Sequence, residues 1–184
     1  MVDPVASYLE ITEVETTIHS WSTSEFLSES TREAISKASV LIIPQMGFRD
    51  YSEPLFPVGT TELFSYLRSA AETNLNIEIA IDDEDYREIA LHSDIVRIAT
   101  IVVEYYVAPI LSGLLVNYIT SRLGRGFTEG RVEATVVVAD SDGVKSRSWE
   151  LKYKGPAKTF ENFLKTGLSQ LADRKVSTLN RDSE

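Results

Sequence analysis

Four consecutive acidic residues, Asp82, Asp83, Glu84 and Asp85, form the densest group of chemistry-bearing side chains in the sequence. They follow a run in which Leu75, Ile77, Ile79 and Ile81 alternate with Asn76, Glu78 and Ala80, the period-two pattern of a strand with one buried face. Open α/β sheets place their ligands at the carboxyl ends of such strands. If the apolar run Val40–Ile43 is a parallel neighbour, Asp50 and Glu53 come to the same edge. Asp82, Asp83 and Asp50 are then candidate oxygen ligands for Mg2+ in a hydrolase or phosphotransferase. The plainer reading makes Asp82 or Asp83 the cap of a following helix, whose first turn favours acids, and implies no cofactor.

Other catalytic patterns are weaker. With His19 and His92 as the two histidines, a three-histidine metal site cannot form within one chain. His92-Ser93-Asp94 has the residue types of a nucleophilic triad, but neighbours in sequence rarely reach triad geometry, and Ser93 or Asp94 reads as a helix cap. Gly124-Arg125-Gly126 precedes a strand and so lacks the helix N-terminus that a phosphate-binding turn needs. Neither a G-x-S-x-G elbow nor a G-x-x-x-x-G-K-[ST] loop is present. The expectation is a protein without catalytic activity.

Composition narrows the classes further. The chain has no cysteine, which excludes a disulfide framework, a zinc ribbon and a thiol nucleophile. Its start, Met1-Val2-Asp3-Pro4, has neither a basic nor an apolar leader region, so cytoplasmic residence is the expectation. The net charge of −10 is unevenly spread: residues 1–96 carry 18 acidic and 5 basic side chains, and residues 97–184 carry 10 and 13. An acidic protein whose basic residues are dispersed is a poor match for phosphate backbones, and nucleic-acid binding is disfavoured. Lys145, Arg147, Lys152 and Lys154 alternate with Trp149, Leu151 and Tyr153, and the apolar set is expected to pack on the C-terminal helix rather than stack on bases.

The elements that must position these residues read roughly β-α-β-α-β-α-β-β-α. A first strand is expected within Tyr8–Ile18, and a short helix from about Thr31 to Ala38 capped by Ser30 with Glu33. A buried strand follows at Val40–Ile43, then a helix starting at Thr60 or Thr61 with Leu63, Phe64 and Leu67 on one face. A helical turn is expected over Tyr86–Leu91. Val132–Ala139 and Val144–Tyr153 flank Asp140-Ser141-Asp142-Gly143, a hairpin signal. After Gly155-Pro156 comes an amphipathic helix with Phe160, Phe163, Leu164, Gly167, Leu168 and Leu171 in one stripe. The fold class is α/β (α+β), a mixed sheet of about four or five strands in one domain, 1–173, with a frayed polar tail at 174–184.

Ile95–Leu123 dominates the interaction reading, because Glu104 is its one charge between Arg97 and Arg122. The segment is expected to be a long apolar central helix, kinked at Pro109. Residues 98–119 also meet the length of a single membrane span, against which stand Glu104, Pro109 and Asn117. A small domain cannot surround so long an apolar helix, so a protein partner or a second copy is expected to cover part of it, with Ala108, Ser112 and Gly113 allowing close approach. The Pro-rich loop 44–59 carries Phe48, Tyr51 and Phe56, rings either pinned to the core or offered to a partner. The expected role is an accessory or regulatory subunit.

Overall fold

The computed structural model describes residues 8–70, 75–90, 94–126, 129–141 and 146–181, with side chains from Glu10 to Lys175. Its frame is a mixed sheet built around three apolar runs. β2 (Val40–Ile43) is buried at every position, because helices cover it on both sides. It pairs in parallel with β4 (Ile77–Ile79) and antiparallel with β7 (Thr100–Glu104). β7 lies parallel to β8 (Arg131–Asp140), which forms a ten-residue antiparallel hairpin with β9 (Arg147–Pro156). β1 (Tyr8–Val14) closes the far edge, antiparallel to β9. A separate two-residue pairing joins β3 (Phe56–Pro57) to β5 (Glu88–Ile89) in parallel.

β6 (Ile95–Arg97) also pairs with β8 and continues the row of β7. Ile95 opposes Arg131, whereas Ile101 opposes Val136, so residues 98–100 face only 134 and 135. One residue is therefore extra, the arrangement of a bulge, which bends the row and re-aims its side chains.

Helices cover the two faces unequally. α3 (Thr60–Ala70), α4 (Ala108–Leu123) and α5 (Ala157–Arg181) pack on Val40, Ile42, Ile101, Val103, Val136 and Leu151. On the other face α1 (Ile18–Ser22) and α2 (Glu29–Ser36) cover Leu41, Ile43, Val102, Val137 and Ala139. Further along that second face the alternation of β8 and β9 presents Glu133, Thr135, Glu150 and Lys152, which are half-buried or exposed. The hairpin's inward set behaves as its alternation requires, with Tyr153 against Phe160 and Phe163 at ring-centroid distances of 5.2 and 4.6 Å.

The long central helix is corrected. Ile95–Glu104 is β6 and β7, and the helix is the 16 residues of α4. β-branched Ile101-Val102-Val103 sends alternate side chains into two cores, so it is apolar without a polar face, and periodicity alone cannot tell it from a buried helix. Pro109 is not a kink but stands in the first turn of α4, where its missing N–H costs nothing. Among the described residues no helix is long and apolar enough to cross a membrane.

Smaller corrections have local causes. Ser28, not Ser30, caps α2, accepting from the Thr31 N–H at 3.3 Å. The turn expected over 86–91 is instead the short strand β5, with Leu91 outside the described residues. Asp94 precedes β6 rather than a helix. α5 runs through Arg181 without a break at 174, and Lys175 is docked against Tyr105 and Asp140.

Candidate binding site

The acidic residues after β4 are placed differently from one another. The Asp82 carboxylate accepts from the Ser28 N–H at 2.8 Å, the Ser28 hydroxyl at 2.7 Å and the Thr31 hydroxyl. The hydroxyls of Ser28 and Thr31 hold its carboxyl below the usual range, outweighing the small opposing effect of burial. Its oxygens are thus occupied in tying α2 to the sheet. Asp83 and Asp50 are exposed, and among the described residues no group of three or more His, Asp or Glu side chains is gathered to hold a metal. Of the triad-like tripeptide, His92 and Ser93 lie outside the described residues.

A second carboxylate, Glu88 on β5, is built into the start of α3. It lies 3.4 Å from the backbone nitrogens of Gly59 and Thr61, and accepts from the Thr61 and Tyr86 hydroxyls at 3.2 and 2.6 Å. These donors include the unpaired amides of a helix N-terminus, which favour negative charge. Burial pushes the Glu88 carboxyl up, but the Tyr86 bond and the Thr61 and Gly59 amides outweigh it and hold the group low. The same environment acts oppositely on Tyr86: burial, then the bond to Glu88, pushes its phenol up to about 12. Tyr86 also stacks on Phe56 at 5.0 Å, which explains why that loop ring is fully buried.

Beside this node lies a cavity of about 180 Å3 between the β3–α3 turn, β5, β6 and the end of α4. Its apolar wall is Pro57, Val58, Ile89, Ile95 and Val96, and its polar wall is Arg97, Tyr118 and Arg122. Tyr118 donates to the Gly59 carbonyl across a long 3.4 Å. Gly59 has φ of +90°, and a Cβ there would stand 3.2 Å from Arg122 Nη2, so the guanidinium occupies space that a side chain would need.

Arg97, on the bulged row, separates this cavity from a groove of about 270 Å3 on the uncovered sheet face. Gln45, Thr100, Thr135, Glu150 and Lys152 line it with Glu133. Arg97 Nε and Lys154 Nζ stand 3.4 and 3.7 Å from Glu133 Oε2, which is buried without a hydrogen bond among the described residues, and Lys152 pairs with Glu150 at 2.8 Å. Opposite charges alternate along the groove, so it is polar without a net bias to either sign.

The residues read from sequence as an interface do not form one surface. Phe56 is core, Phe48 is half-buried beneath Arg49 with 5.1 Å to its ring, and Tyr51 is 54% exposed. On α4, Ala108 is buried and Ser112 bonds back to the Ala108 carbonyl at 2.8 Å, while Gly113 faces open space. The apolar side chains that do face outwards there are Tyr106, 67% exposed, and Ile110, 55% exposed. Sequence reasoning offered Ile110 only as the position to test, and missed Tyr106, Tyr118 and Glu88 and the cavity role of Arg122, because each is an ordinary residue in its own segment. Pro109 was the available signal: read as a helix start, it puts Tyr106 before the first turn and Ile110, Gly113 and Asn117 along one side.

Comparison with known proteins supplies no relative: no family model, no curated protein and no solved structure matches this chain.

Proposed function

We propose that this protein is a cytoplasmic, non-catalytic accessory or regulatory subunit that works by protein–protein contact, beginning with a second copy of itself across α4. The observation that carries this reading is the outward side of α4, where Tyr106 and Ile110 are exposed one turn apart while Leu111, Leu115 and Ile119 fill the core behind them. No charged residue occurs from Tyr105 to Ser121. On a protein of net charge −10, this strip brings no charged side chain into the contact, so no ionic group has to be desolvated or opposed there. Gly113 presents no side chain, which lets a facing helix come close.

Size-exclusion chromatography with light scattering tests the reading. The wild type is expected as a discrete dimer and Ile110→Glu as a folded monomer, because the position is exposed and a charge there would be desolvated only in the dimer. A wild type that is monomeric at the concentrations where the protein is purified would overturn it. The acidic-site alternative has no comparable support, since Asp82 is engaged with Ser28 and Thr31.

A further inference from the structure

The cavity between the β3–α3 turn, β5, β6 and the end of α4 is distinct from the outward side of α4 and has a different chemistry. About 180 Å3 is comparable to an apolar cavity of about 150 Å3 that admits benzene, so it has room for a small molecule rather than for water alone. Its two walls differ, one apolar and one carrying Tyr118 and two guanidinium groups.

The cations are not equivalent. Arg97 is paired with Glu133, but no carboxylate among the described residues lies within ion-pair distance of Arg122. Glu62 and Glu88 are the acids whose charge reaches the Tyr118 hydroxyl. Glu62 Oε2 stands 3.8 Å from where a Gly59 Cβ would be, on the Arg122 side but without an ion pair to it, so it offsets part of the Arg122 charge, and the charge of Glu88 is taken up by the α3 amides and two hydroxyls. Those amides are therefore engaged, and recognition of an anion in the cavity falls to Arg122 and Tyr118. The Tyr118 bond to Gly59 is long enough to be exchanged for a better acceptor. At the cavity wall Val58 is 56% exposed, an apolar side chain left in water by the rest of the fold.

We propose that this cavity binds a small organic anion, a carboxylate or phosphate monoester on a short apolar chain. The head group meets Arg122 and the Tyr118 hydroxyl, and the chain lies against Val58, Ile89 and Val96. Arg supplies the planar fork that suits either head group.

Isothermal titration calorimetry with hexanoate and hexyl phosphate, and hexanol as the uncharged control, decides the matter. At least one of the two anions is expected to bind saturably while hexanol does not, and the one that binds identifies the head group. Arg122→Gln is expected to weaken binding by about tenfold, the loss of one charge-assisted hydrogen bond. Val58→Glu, at an exposed position, is expected to abolish it and serves if Arg122→Gln fails to fold. Absence of saturable binding by both anions, equal binding of hexanol, or unchanged affinity in either folded variant would overturn the proposal.

Discussion

Asp82 takes two hydrogen bonds from Ser28, 54 positions earlier in the chain, one from its backbone N–H at 2.8 Å and one from its hydroxyl at 2.7 Å. Ser28 in turn caps α2, so one carboxylate fixes the start of a helix to the end of β4. Asp82→Ala is expected to cost about 1–2 kcal/mol, the loss of its charge-assisted bonds to the capping Ser28 and to Thr31, measured by urea unfolding. The folded pKa lies below the unfolded value of about 3.9, so this contribution is present above that pH and lost as pH falls through the folded pKa. Mg2+ is expected to leave the melting temperature unchanged. A rise abolished by Asp82→Asn and Asp83→Asn would restore the metal reading.

Gly167 shows where α5 presses on the sheet. A Cβ there would overlap Leu151 Cδ2, and Leu151 is fully buried. Alanine gains about 1 kcal/mol in helix propensity but overpacks the contact by about 1–3 kcal/mol. Gly167→Ala should therefore destabilise the fold. Gly113→Ala, made in the Ile110→Glu monomer, where nothing among the described residues lies within 4 Å, should instead stabilise it by about 0.5–1 kcal/mol. Thermal melts of the two variants shifting in the same direction would contradict this packing.

Tyr86 provides a pH test in the alkaline range. Its phenol, raised to about 12 by burial and then by Glu88, stays protonated in the folded state while the unfolded phenol ionises near about 10. Its contribution is fully present below the unfolded value and is lost as pH rises through the folded one. The difference between wild-type and Tyr86→Phe phenolate absorbance titrations isolates this group among the eight tyrosines. A midpoint near the ordinary value would break the assigned contact with Glu88.

Lys175 anchors α5 through two contacts, 3.0 Å to Asp140 Oδ1 and 4.7 Å to the Tyr105 ring. The pair is partly screened, at 29% and 15% side-chain exposure, so Lys175→Met is expected to cost about 1 kcal/mol rather than the full value of a buried pair. Hydrogen exchange should show the last turns of α5 opening more readily in that variant. Unchanged protection would mean that the anchor is not limiting.

By itself the sequence determined the elements whose patterns are local: the buried run Val40–Ile43, the β8–β9 hairpin with Trp149, Leu151 and Tyr153 on one side, and the stripe of α5 from Phe160 to Leu171. Tertiary structure decided whatever depended on burial from two directions or on distant partners. Ile101-Val102-Val103 is strand because two separate cores claim its alternate side chains, and a run apolar on every side carries no period to announce that. Asp82 became a structural tie because Ser28 folds back to it, and Arg122 reached the cavity because Gly59 leaves it space. Local chemistry is written in neighbouring residues, whereas a site assembled from β3, β5, β6 and α4 exists only once the chain has closed on itself.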